Sequence, residues 1–210
     1  MLFYYPFAHV GGIQIKVIES VNISGVELSF ETSDAVFSPH GVDAGTLAML
    51  SAVVFSPGDR LLDLGCGYGV VGIYAAKLIG GHNVVMSDID GECVRLSGIN
   101  AVKNGVDGME IVLSDGFRDI RGNDFTLIIS KPPYHADFST AKHFIEKGFN
   151  RLRVGGKMLM VTKRRDWYRN KLVAIFGGVR VSEIDGYFVF CAEKRGLSYA
   201  KSKPPSKRRF

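Results

Sequence analysis

The run Leu61-Leu-Asp-Leu-Gly-Cys-Gly-Tyr-Gly-Val-Val-Gly72 constrains the fold more than any other stretch of the chain. Residues 61–64 read as a short strand, and the alternate glycines after it make a tight turn before a helical pattern resumes. Such a unit belongs to open sheets of parallel strands, in which the turn sits at the carboxyl edge and lets a ligand approach the main chain.

The surrounding sequence extends this pattern. Strands are predicted near residues 60–64, 84–88, 110–113, 125–130 and 157–162, with helices near 70–79, 91–104, 138–152 and 166–176. The alternation predicts an α/β fold with a mostly parallel sheet covered by helices on both faces. Val179–Ile184 and Tyr187–Ala192 are separated only by Asp185-Gly186, a strong hairpin signal, so the seven-stranded sheet is expected to end in an antiparallel C-terminal hairpin. Ahead of it, Ile13–Glu19 and Val26–Glu31 flank Ser24-Gly25 and predict a short N-terminal β-hairpin that forms a lid or flank. Asp43-Ala-Gly-Thr then opens a helix to about Val54, and Ser56-Pro-Gly-Asp closes it.

At 46% apolar, 210 residues supply one sizeable core and hardly two. The expected organisation is an N-terminal β extension over 1–34, a main domain over 35–194 and a basic, disordered tail over 195–210. That tail carries six Lys or Arg and no acid, so of the net charge of +5 only −1 remains on residues 1–194. It reads either as an electrostatic hook for a polyanion, RNA before membrane, or as a solvated end. Cys66, Cys93 and Cys191 are widely spaced and free of any Cys-x-x-Cys, which argues against a disulfide framework and against zinc. His9, His40, His82 and His143 have no partner at metal spacing, so no metal site is expected. The first residues lack the charged region and cleavage site of a secretory signal, and the expected location is the cytoplasm.

Several residues could carry chemistry. Gly67-x-Gly69-x-x-Gly72, with Asp88 further on, also satisfies the dinucleotide fingerprint. Asp63 helps to separate the readings, because a carboxylate just before the glycines suits a ligand bearing an ammonium group and repels a pyrophosphate. Asp88, at the end of the second core strand, can accept both hydroxyls of a ribose, and Asp90 is read as the cap of the following helix. Asp115, in Leu113-Ser-Asp-Gly-Phe117, can take a hydrogen bond from an adenine amine or serve as a plain turn residue. Ser130-Lys-Pro-Pro-Tyr-His135 follows the fourth core strand, at the edge where doubly wound sheets bind ligands. Its prolines fix the backbone and lack donors, and Tyr134 offers a ring on which a planar substrate could stack. Lys163-Arg-Arg-Asp-Trp-Tyr-Arg-Asn-Lys171 mixes basic and aromatic residues as a nucleic-acid groove would, or as a solvated helix start around a buried Trp167.

Taken in order, Phe37-Ser-x-x-x-Val-Asp43-x-Gly45-Thr46, Asp63-Leu-Gly-Cys-Gly-x-Gly69, Ser87-Asp-Ile-Asp90, Pro132-Pro-Tyr-His135, Leu152-x-x-Gly-Gly156 and Phe176-Gly177 resemble the small-domain ribosomal RNA guanine methyltransferases. The likeness spans about residues 35–194. It implies a Rossmann-like class I methyltransferase fold, S-adenosyl-L-methionine as cofactor, ribosomal RNA as partner, and methyl transfer to a guanine exocyclic amine. The cofactor-binding residues expected on this basis are Asp63, Gly65, Gly67, Gly69, Asp88, Ile89, Asp115, Gly116 and Ser130. Those expected at the reacting end are Lys131, Pro132, Pro133 and Tyr134.

The chain departs from the family at one of these. The family motif begins with Asn, whose side-chain oxygen accepts an amine hydrogen, whereas an ammonium at Lys131 has three donors and no acceptor. Lys131 then faces away or binds phosphate, or is deprotonated by burial, or the acceptor is not an amine. A small-molecule or protein acceptor, a nicotinamide-dependent oxidoreductase and a non-catalytic RNA-binding relative are the competing readings.

Overall fold

The computed structural model describes residues 15–36, 38–133 and 137–200. Tyr134, His135, Phe37 and residues 201–210 lie outside these, and with them the expected stacking ring and most of the basic tail.

Two hairpins and a doubly wound unit make up the described chain. β1 (Ile15–Ile23) and β2 (Val26–Ser33) form a separate antiparallel pair. α1 (Ala44–Ser51) leads into β3 (Leu61–Leu64), α2 (Val70–Ile79), β4 (Val84–Asp88), α3 (Gly91–Lys103) and β5 (Glu110–Leu113). β6 (Phe125–Ser130), α4 (Ser139–Arg151), β7 (Leu152–Thr162), α5 (Arg165–Phe176), β8 (Arg180–Ile184) and β9 (Tyr187–Glu193) complete it. The seven-stranded sheet has the order β5-β4-β3-β6-β7-β9-β8, with β9 antiparallel to both of its neighbours.

Burial on both faces explains the apolar runs. β3 and β6 are buried at every position, and alternate residues point to opposite helical layers. Leu61, Leu127 and Ile129 pack with α1, α2 and α3 on one face. Leu62, Leu64 and Ile128 pack with α4 and α5 on the other. Gly72 is needed for this closeness, since a Cβ there would stand 2.3 Å from the Met86 sulfur on β4.

β7 starts at Leu152, earlier than the predicted residue 157. Its first residues continue extended from α4, and the Gly155 and Gly156 backbone exchanges hydrogen bonds with that of Lys194 (2.8 and 2.9 Å). That pairing is between distant segments and leaves no local periodicity to read.

The N-terminal hairpin flanks α3 through two side-chain amides. Asn100 accepts from Glu31 N (2.6 Å) and donates to Glu31 O (2.8 Å), and Asn104 does the same for Ser29 (3.0 and 2.7 Å). The amides thus stand in for a neighbouring strand along β2 and satisfy its backbone. Asn100 also donates to Tyr68 O at 2.8 Å, tying the hairpin to the glycine turn. Asn100→Ala removes a fully buried amide and leaves the Glu31 and Tyr68 backbone groups without their partner, which should cost about 2–4 kcal/mol in urea unfolding. A loss below about 1 kcal/mol would mean that apolar contacts alone dock the hairpin.

Candidate active site

Strand order decides where a ligand can sit. β3 has β4 on one side and β6 on the other, so the chain leaves it in opposite directions and a crevice opens at the carboxyl edge. The loops after β3, β4, β5 and β6 converge there around a cavity of about 490 Å³. This volume falls within the range typical of small-molecule sites.

The floor is the glycine turn. Gly65, Gly67 and Gly69 have φ of 78°, 57° and 99°, a left-handed backbone that side chains oppose. A Cβ on Gly65 or Gly67 would meet nothing within 4 Å, so both line open space that a side chain would fill. Several groups hold the turn in place. Gly65 and Cys66 donate to Ser87 O (2.8 and 2.9 Å), Gly67 N donates to Asp88 Oδ2 (2.8 Å), and Ser97 Oγ donates to Gly67 O (2.8 Å).

Asp88 lines the cavity beside Ile89, while its Oδ1 accepts from Asp90 N at 3.1 Å. Asp90 lines it too and caps α3, accepting from Glu92 N at 2.8 Å. Asp115 and Gly116 close the far wall. Asp115 is exposed and pairs with Arg118 at 3.2 Å, a surface contact that leaves it available to a ligand.

Three expected residues lie behind the wall instead. Asp63 is 3% exposed and accepts from Gly72 N at 2.9 Å. Burial, opposed by that hydrogen bond and reinforced by the charge of Asp88, pushes its carboxyl up to about 7. Ser130 is buried and donates to Leu64 O at 2.7 Å, and Gly69 stands at the N-cap of α2. All three shape the loops without lining the cavity.

At the opposite end Lys131, Pro132 and Pro133 line the cavity together with Asp43. Asp43 is the cap of α1, accepting from Thr46 N at 3.0 Å, and it pairs with the Lys131 ammonium at 2.5 Å with both side chains largely buried. Burial lowers the Lys131 pKa, and the Asp43 hydrogen bond opposes the shift. Lys131 therefore does not face away from the site. The cap was legible in Asp43-Ala-Gly-Thr, but nothing local signalled the ion pair. Ser97 and Asn100 were missed as well; their trace is a polar stripe on α3 where the period calls for apolar residues.

The electrostatics of the cavity are one-sided. Asp43, Asp88, Asp90 and Asp115 face it against the single cation Lys131 among the described lining residues. Such a wall opposes a dinucleotide pyrophosphate and suits a cationic ligand. Among the described residues no group of three or more His, Cys, Asp or Glu is arranged to hold a metal ion, and no helix is long and apolar enough to cross a membrane.

The profile of the methyltransferase small domain family matches residues 27–191. A ribosomal RNA small subunit methyltransferase C from Serratia proteamaculans is 33% identical over 166 residues, covering 77% of this chain and 47% of that protein. The protein of the same name from Haemophilus ducreyi is 34% identical over 163 residues, covering 74% and 48%. The chain thus spans about half the length of the curated relatives it matches. Among solved structures, a T. thermophilus 16S rRNA N2 methyltransferase in complex with AdoMet and guanosine superposes with a TM-score of 0.78 at 27% identity, covering 86% of this chain and 51% of that one.

Proposed function

The chain belongs to the methyltransferase small domain family, and from that premise we propose that it transfers a methyl group from S-adenosylmethionine to the exocyclic amine of a guanine in ribosomal RNA. The observation that carries this reading is the glycine-floored cavity with carboxylates at one end and the Lys131–Pro133 turn at the other. The names of the relatives support the cofactor and the RNA class.

The residues present fit the cofactor. Gly65 and Gly67 leave room for it against the main chain, Asp88 offers a carboxylate to a diol, Asp115 and Gly116 line the wall proposed for the base, and Ile89 supplies apolar surface. Asp63, Gly69 and Ser130 hold the loops that present these groups. When bound, S-adenosylmethionine supplies a methyl group activated by a positively charged sulfur.

At the acceptor end the protein's task is position. Pro132 and Pro133 have no N–H to offer, so their turn presents carbonyl acceptors, and Tyr134 is the proposed stacking surface for the base. Asp43 brings a carboxylate acceptor to the place where Lys131 has only donors. Holding the two reacting groups in line contributes several kcal/mol, up to about 7–11 in well-oriented systems.

The test is incubation with methyl-labelled S-adenosylmethionine and small-subunit ribosomal RNA, free and within the subunit, followed by nuclease digestion. Label recovered as N2-methylguanosine is the expected result. Label in another nucleoside, in protein or in a small molecule would replace the acceptor. Lys131 in place of the family's Asn supports a second reading, a relative that binds both molecules without transfer. Cofactor binding with no labelled product from any ribosomal substrate would favour it.

A further inference from the structure

The loops at the carboxyl edge are ordered by charge. β3, β4, β6 and β7 run parallel, so the residues after Leu64, Asp88, Ser130 and Thr162 share one edge of the sheet. β9 runs the other way with Phe188 opposite Thr162, which brings Tyr187 to the same edge. Along that edge Asp88 ends β4 and Asp90 follows it, the acceptor turn follows β6, and Lys163, Arg164 and Arg165 follow β7.

These three consecutive cations are exposed, yet each rests on a ring. Lys163 lies 4.9 Å from the centre of Tyr187, Arg164 5.0 Å from Phe138, and Arg165 6.0 Å from Phe188. Two of the rings stand near the acceptor end. Tyr187 packs so tightly on Gly45, next to Asp43, that a Cβ there would stand 2.7 Å from it. Phe138 belongs to the segment returning from the Pro132–Pro133 turn, and it stacks on Trp167 at 4.2 Å. Arg165 also has Asp166 at 3.5 Å. A solvated helix start requires no such seating. Seating on ring faces fixes where the cations stand while leaving N–H donors outward, as a polyanion contact requires.

We propose that Lys163, Arg164 and Arg165 form a rim that grips the phosphodiester backbone of the RNA strand next to the target nucleotide. The inference rests on the ribosomal RNA reading above and adds the surface that holds the polymer. The rim lies beyond the acceptor turn on the side away from Asp88 and Asp90, and the carboxylate nearer to it, Asp43, is paired with Lys131, so a chain leaving the site there meets attraction instead of repulsion.

The test combines Lys163→Gln, Arg164→Gln and Arg165→Gln in the full chain and follows a fluorescent ribosomal RNA hairpin by anisotropy between about 50 and 200 mM salt. Loss of three phosphate contacts should weaken binding roughly tenfold or more and lower the salt slope by about 2–3. Affinity for S-adenosylmethionine and the thermal midpoint should not change. If the triple variant binds RNA with the wild-type affinity and slope, the rim is overturned and the methyl-transfer reading stands. Loss of binding to phosphatidylserine vesicles with RNA binding intact would overturn it in favour of a membrane surface. A wild type with no affinity for RNA would overturn both.

Discussion

Asp88→Ala is expected to weaken S-adenosylmethionine binding by about 10- to 100-fold, because it removes two functions at once. One is the carboxylate facing the cavity, whose hydrogen bonds to a ligand are charge-assisted and worth about 1.5–3 kcal/mol. The other is the anchor of the Gly67 N–H at 2.8 Å, which keeps the glycine turn open. Asp88→Asn retains an oxygen for Gly67 and loses the charge, so its affinity should fall between the two. Calorimetric titration of the three proteins, with NADH in parallel, checks this. An Asp88→Ala protein of unchanged affinity would mean that Asp88 only tethers the loop and that Asp90 or Asp115 meets the ligand.

The second large effect concerns stability and its sign with pH. The Asp63 carboxyl sits at about 7 in the fold against 3.8 for the free side chain, chiefly because it is buried. The native state therefore holds a proton more tightly than the unfolded chain, and this contribution is complete below about pH 4. It falls as pH rises and is gone once the native carboxyl ionises above about pH 7. At 1.36 kcal/mol per unit, the window amounts to roughly 4 kcal/mol. Asp63→Asn keeps an oxygen for the Gly72 N–H and has nothing to ionise. Compared with the wild type, the variant should gain about that amount in urea unfolding between pH 4 and pH 8. Parallel pH profiles would show that Asp63 is already ionised in the fold at low pH.

Asp63 also shows what changes between reading a sequence and seeing a fold. Read from sequence, its charge helps to disfavour a dinucleotide, alongside the Pro-Pro-Tyr turn and the antiparallel C-terminal pair. In the fold it is buried behind the glycine turn, and the carboxylates that line the cavity are Asp88, Asp90 and Asp115, with Asp43 paired to Lys131. The preference for a cationic ligand survives because other carboxylates carry it. Residue type at a motif position indicates chemistry, but exposure decides whether a ligand ever meets it.

What the sequence alone determined are the features that neighbours in the chain control. The alternation of apolar strands and helices, the turns at Ser24-Gly25 and Asp185-Gly186, the glycine turn after β3 and the caps at Asp43 and Asp90 all follow from local periodicity, backbone sterics and side chain to backbone hydrogen bonds. Only the tertiary structure decided the rest. It set Asp43 against Lys131, hung β2 on Asn100 and Asn104, seated Lys163–Arg165 on rings from β9 and the segment before α4, and hid Asp63. Each of these joins segments far apart in the chain. Their partners are chosen by strand order and helix packing, and burial and charge pairing depend on that three-dimensional neighbourhood, which no local pattern encodes.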